Sequence, residues 1–191
     1  MVLVDWQIRQ LCEHQNLITP YNPKLVNTDS IDVRLGSNLI VYRKKDTVWQ
    51  RFKKWFNCEI IHIADYAQKI NLDHFDQANP YWLKPNEFVL AETLESLNLP
   101  ANIPADFKLV SSRAREGLGH LLAGWVEGGF HGVLTLELKN YHTTKSIPLY
   151  PGLRVGQLVL HRTESPEKSY TQTDKGGRYA GFKMVMGSMG S

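Results

Sequence analysis

Residues 132–140, GVLTLELKN, alternate without interruption: Leu134, Leu136 and Leu138 take every second position, with Val133, Thr135 and Glu137 between them. A period of two is a strand signature, because successive side chains on an extended backbone point to opposite faces. The leucines define a core face. Glu137 and Thr135 then share the other face. SIDVRLG at 30–36 repeats the pattern, with Ile31, Val33 and Leu35 set against Asp32 and Arg34. EFVLAETLESLNLP at 87–100 and LRVGQLVLHR at 153–162 read as further strands, the former closed by Pro100 and Pro104. Gly36-Ser37-Asn38 reads as a turn before a second short strand, Leu39 to Tyr42. Only the N-terminus has helical spacing, in Val4, Ile8, Leu11 and Cys12, with Asp5 as cap or first-turn acid and Pro20 and Pro23 ending the pattern. Short strands between Gly and Pro turns predict a mainly β sandwich or barrel.

The 191 residues suit a single domain over 1–191, and 42% apolar with 21% charged residues is a globular composition. With 22 basic against 19 acidic residues the net charge is +3, too small for a general nucleic-acid binder but compatible with an anionic small molecule. No apolar run approaches a membrane span, and Asp5 follows the first residues without a basic leader, so a cytoplasmic protein with no membrane partner is expected. Cys12 and Cys58 are too few for a disulfide framework or a four-thiolate zinc site. Residues 43–80 mix lysines with Trp49, Phe52, Trp55 and Phe56. They read as an elaboration that packs its aromatics and solvates its lysines, rather than as a nucleic-acid surface. The tail from about 170 to 191 is Gly-rich and expected to be a mobile lid.

Three stretches could carry chemistry. Glu137 is an ordinary solvent-facing carboxylate if its face is open, and a general base if that face is enclosed. KLVSSRAREGLGHLLAG at 108–124 offers Ser111, Ser112, Arg113 and Arg115, hydroxyls and planar forks suited to phosphate oxygens. Its plainer reading is a helix with a Ser N-cap and exposed arginines. YTQTDKGGRYAG at 170–181 adds Tyr170, Lys175, Arg178 and Tyr179 among glycines that let backbone approach a ligand. The zincin, P-loop, nucleophile-elbow and zinc-deaminase motifs are absent from the sequence. The seven histidines, at 14, 62, 74, 120, 131, 142 and 161, show no ligand spacing and read as surface or satisfied core residues.

Taken in order, six blocks resemble the dCTP deaminase family of the dUTPase-like superfamily: DVRLG at 32–36, AETLESLNLP at 91–100, SSRAREGLGHLLAG at 111–124, GFHGVLTLELKN at 129–140, LYPGLRVGQLVLHR at 149–162 and KGGRYAG at 175–181. The resemblance implies a dUTPase-like jelly-roll or β-clip barrel with short helices. It also implies a homotrimer whose sites lie between subunits. The implied reaction is hydrolytic deamination of dCTP to dUTP and ammonia, with no zinc and with Mg²⁺ carried by the triphosphate. Glu137 matches the catalytic carboxylate, and Ser111 and Arg115 match active-site residues. For the substrate, Ser112 and Arg113 would hold phosphates, Ala123 would face the base, and Thr135 and Leu136 would hold sugar and base. Tyr170, Lys175, Arg178 and Tyr179 would cover the triphosphate.

The sequence departs from the family pattern at four places. Val110 stands where an arginine is common, Arg178 where a lysine is usual, and Phe182 where the tail carries a glutamine. Glu127 replaces an aspartate near the sugar 3′-hydroxyl, which in dUTPases activates water. Two alternatives stay open beside the leading expectation: a dUTPase or bifunctional enzyme giving dUMP, and an inactive nucleotide-binding module.

Overall fold

The computed structural model describes residues 1–43, 66–173 and 177–188. Lys175, Cys58 and the aromatic-basic stretch 44–65 lie outside the described residues.

Helix α1, Asp5–Gln15, buries Ile8, Leu11 and Cys12 as its periodicity requires, and ends at Asn16 in the left-handed region (φ 50°). Val4, expected on the buried stripe, is instead the exposed N-cap, whose N–H donates to Gln7 Oε1 at 3.1 Å. Eleven strands follow in the described residues: β1 (Ile18–Thr19), β2 (Ile31–Tyr42), β3 (Ala67–Asn71), β4 (Tyr81–Leu83), β5 (Phe88–Asn98), β6 (Ala105–Leu109), β7 (Leu118–His120), β8 (Trp125–Val126), β9 (His131–Asn140), β10 (Ile147–Leu149) and β11 (Arg154–Leu160). A five-residue helix α2, Ser111–Arg115, joins β6 to β7. Its N-cap is Val110, buried, so Ser111 is a first helical residue and not the cap expected for it.

The main sheet runs β7-β9-β5-β2-β11-β6-β8, antiparallel throughout, and β4 and β10 form a separate two-stranded sheet. β9 lines one edge of β5 along its whole length. The other edge is shared by β2 and β1, because the register shifts between Leu35 and Leu39. The Gly36-Ser37-Asn38 segment expected as a turn is therefore a bulge inside one twelve-residue strand. A bulge bends a strand without ending it, which lets β2 pair with β5 and β3 in one half and β11 in the other.

The core lies inside this curled sheet, with Leu134, Leu136 and Leu138 in it, and burying each leucine contributes about 1.5–3 kcal/mol. Buried acids of the family blocks serve the sheet. Asp32 accepts from Arg154 at 3.0 Å and from Asn27 at 2.9 Å, and Glu95 accepts from Arg34 Nε at 2.7 Å and from its backbone N–H at 2.8 Å. No helix among the described residues is long and apolar enough to cross a membrane.

Candidate active site

Leu90 and Glu137 are cross-strand partners, as are Glu92 and Thr135. Partners in an antiparallel pair share a face. These four side chains therefore stand together on the side of β5 and β9 turned away from the leucines. That side is not open. The loop 121–124, strand β8 and the C-terminal segment close around it to form a cavity of about 470 Å³. Glu137, Thr135, Leu136, Ala123, Glu127, Tyr170 and Tyr179, all expected at the site, line it, and so does Phe182.

Glu137 keeps 27% of its side chain exposed, and its Oε2 is buried without a hydrogen bond. His120 Nε2 sits 3.0 Å from that oxygen, close enough for an ion pair, but the two are not aligned as donor and acceptor. The imidazole is nearly buried and packs on Phe107 with centroids 4.8 Å apart. The registers of β7 and β9 bring the two residues together, since His120 pairs with Leu138, next to Glu137. The expectation of a surface or satisfied core histidine at 120 misses this contact. Its only sequence signal is its position two residues after Leu118, a single leucine between Gly117 and Gly119, which carries no spacing rule. Tyr42 also lines the cavity, and burial pushes its phenol above the usual range, so it stays neutral at physiological pH.

Beyond Glu127 the wall continues into a second cavity of about 540 Å³, which shares Trp125, Glu127 and Tyr170 with the first and is also lined by Lys168, Thr163 and Thr173. Leu122 in the intervening loop has φ 59° and is 96% exposed. That is an uncommon conformation for a branched residue.

Ser111, Ser112, Arg113 and Arg115 are not brought to this cavity within the chain. Ser111, Ser112 and Arg115 are exposed on α2, and Arg113 forms an ion pair with Glu116 at 2.7 Å. Arg178 is exposed and outside the lining, while Tyr179 donates its backbone N–H to the Tyr170 hydroxyl at 3.4 Å. No group of three or more His, Cys, Asp or Glu side chains converges among the described residues.

The family model for dCTP deaminase-like proteins matches residues 2–163. A protein of Methanoregula boonei named dCTP deaminase, dUMP-forming, is 37% identical over 172 residues, covering 89% of this chain and 87% of that protein. A protein of the same name from Methanoculleus marisnigri is 34% identical over 172 residues, covering 89% of this chain and 85% of its own. Among solved structures, the 2′-deoxycytidine 5′-triphosphate deaminase of Agrobacterium tumefaciens superposes with a TM-score of 0.59 at 20% identity. That match covers 85% of this chain and 48% of the other, so the chain spans about half the length of that relative. The structural likeness establishes a shared, mainly β fold. With most of its length matched by the family model and by relatives above 30% identity, the chain belongs to the dCTP deaminase-like family.

Proposed function

We propose that this chain deaminates dCTP and carries the product on to dUMP. The observation that carries the first step is the half-enclosed Glu137, with a buried, hydrogen-bond-free oxygen facing the cavity. A carboxylate so placed accepts a proton from a water as its oxygen attacks C4 of cytosine. It returns that proton to N3. The hydroxyl now on C4 then gives its own proton, through the same carboxylate, to the amine. The C4–N bond breaks as the C4 carbonyl forms, and dCTP and water have given dUTP and ammonia. No base in bulk solvent is required, and positioned general catalysis of this kind contributes about 10²–10⁴ in rate. His120, its Nε2 3.0 Å from Glu137 Oε2, limits where the carboxylate can swing. Ala123 and Thr135 shape the space for the ring and sugar.

The leading expectation from the sequence ends at dUTP. The relatives' dUMP-forming names favour the bifunctional alternative, and so does the position of Glu127. Glu127 lies on the wall shared by both cavities. A nucleotide whose ring meets Glu137 can run its phosphates past this second carboxylate. There Glu127 can activate another water, which splits dUTP into dUMP and pyrophosphate. Lys168 and the hydroxyls of Thr163 and Thr173 line the outer cavity, a surface suited to phosphate oxygens. Mg²⁺ enters with the substrate, chelated by its phosphates.

Ser111 and Arg115 join the reading through symmetry. They are exposed donors on α2, outside the cavity of their own chain, and they serve a neighbour's site if three copies assemble around a threefold axis. Ser112, Arg113, Arg178 and Lys175 would then complete the triphosphate cover.

The test is incubation with dCTP while ammonia, dUTP and pyrophosphate are followed together. The proposal expects ammonia and pyrophosphate in equal amounts, with dUMP. Ammonia with accumulating dUTP returns the reading to a deaminase alone. Pyrophosphate without ammonia makes the chain a pyrophosphatase, and binding without turnover makes it an inactive module.

A further inference from the structure

Glu92 is a buried acid that the proposed reaction does not use. Its Oε1 accepts the backbone N–H of Asn38 at 3.1 Å and the Asn38 side-chain amide at 2.7 Å. Its Oε2 accepts the backbone N–H of Val185 at 2.6 Å. Three N–H donors converging on both oxygens call for a group that only accepts, as an ionised carboxylate does and a carboxamide does not.

The chain makes room for this side chain. Its own strand β5 bulges there, between Glu92 and Ser96, and the neighbouring β2 bulges between Leu35 and Leu39. Gly36 has no Cβ where one would meet Glu92 Cγ at 2.6 Å. A side chain at Gly36 would therefore displace the carboxylate.

Val185 belongs to the C-terminal segment, 93 residues away in sequence. It is buried with Ile40 and Leu90 in a small cluster of its own. The residues that follow, Met186 to Ser188, line the cavity that holds Glu137. Upstream, the segment is fastened to β9: Val133 N–H donates to Phe182 O at 3.1 Å, and Gly181 N–H donates to His131 O at 2.7 Å. Gly132, at φ 118°, permits that approach, since a Cβ there would meet Phe182 O at 2.7 Å. The tail thus crosses the outer face of β9 and β5 and reaches the cavity, held at Val185 by Glu92.

We infer that Glu92 is a positioning residue which, through the Val185 amide, holds the C-terminal segment as a wall of the Glu137 cavity and so sets nucleotide affinity. The inference takes dCTP as the substrate from the reading above. The carboxylate does not touch the reacting atoms. It acts by keeping residues 186–188 where the nucleotide meets them.

The test uses the full chain as E92Q, V185P and the double variant. E92Q sets an amide hydrogen against a donor at one of its two oxygens, and V185P removes the one N–H that reaches Oε2. Hydrogen exchange of residues 182–188 is measured without nucleotide, and kcat and KM are measured with dCTP. Each single variant should speed exchange there and raise KM about 10-fold, the scale of one lost hydrogen bond to a charged group, with kcat within about 3-fold. The double variant should match the worse single variant, because both break the same bond. Unchanged exchange in V185P overturns the latch. Faster exchange with an unchanged KM overturns its role in affinity, as does a KM effect that multiplies in the double variant. Should E92Q fold poorly, V185P is read against Val185→Ala, which keeps the N–H but loses the packing on Ile40 and Leu90: faster exchange in V185P than in Val185→Ala supports the latch, and equal exchange in the two overturns it. If the wild type turns over no dCTP, the functional reading fails by itself, and the exchange data still decide the latch.

Discussion

The outer side of β9 and the helix α2 both carry polar side chains expected at the site, and they end in opposite surroundings. On β9, Glu137 stands in an enclosed cavity beside His120, with one oxygen buried and lacking a hydrogen bond. On α2, Ser111, Ser112 and Arg115 face solvent, and Arg113 is taken by Glu116. The difference teaches that one set of candidate residues is gathered within a single chain, whereas the proposed function needs a neighbouring copy to use the other. Charge alone does not separate the two regions. Enclosure does, because it is enclosure that forces a polar group to find a partner or a ligand.

Four experiments press on this contrast. The largest effect belongs to Glu137→Gln. The isostere fills the same space but cannot take a proton, so kcat for ammonia release should fall by about 10²–10⁴ while dCTP still binds by equilibrium titration. Near-normal turnover would remove the enclosed half of the site.

Next comes stability. Leu136→Ala empties a fully buried position on the inner face of β9 and should cost about 2–5 kcal/mol in urea unfolding. Ser111→Ala, on exposed α2, should change stability by no more than about 0.5 kcal/mol. Equal losses would mean that α2 is packed rather than exposed.

Arg115→Ala then asks whether the exposed half works elsewhere. If it serves a neighbouring copy, dCTP turnover should drop about 10- to 100-fold, the cost of one lost charge-assisted contact. Co-refolding Arg115→Ala with Glu137→Gln should recover part of the lost activity, since some mixed sites then carry both native residues. No loss in Arg115→Ala, or no recovery on mixing, would leave α2 outside the site.

The smallest effect comes from α1, where a buried group takes no part in the site. The Cys12 thiol is pushed up from 9.0 to about 12, by burial first and by Glu13 second. The unfolded chain loses this proton near pH 9, and the folded chain keeps it. Stability therefore falls as pH rises through that window, by at most about 1.4 kcal/mol per unit. Cys12→Ala should show a shallower fall between about pH 9 and 10.5 in urea midpoints. A slope equal to that of the wild type would mean the thiol is not held neutral.

Much of this is legible in the residues. The inner and outer faces of β9 follow from a period of two, so the alternation alone assigns Glu137 to the face opposite the leucines. Thr135, Ala123, Glu127, Tyr170 and Tyr179 follow from the family blocks, and all five line one cavity. The bulge at 36–38 is not legible, because Gly-Ser-Asn is as good a turn as it is a bulge, and only the pairing of Leu39 with Ala91 decides between them. Nor is His120. Its value comes from β7 lying beside β9, a pairing between segments with no mutual pattern. Glu92 sits in an apolar strand that also carries Glu95, and nothing local tells the two acids apart. Its meaning depends on a tail amide far along the chain.

The sequence by itself determined that the chain would be mainly β, which face of β9 would be apolar and which family the chain resembles. Those properties rest on local alternation and on ordered motifs, and the chain carries them wherever it goes. The tertiary structure alone decided that the polar face of β9 would be closed, that His120 would sit against Glu137 and that Glu92 would hold the tail. Closure, contact and latch each need two segments distant in sequence to meet, and they meet only when the curled sheet brings β5, β7, β9 and the C-terminal segment together.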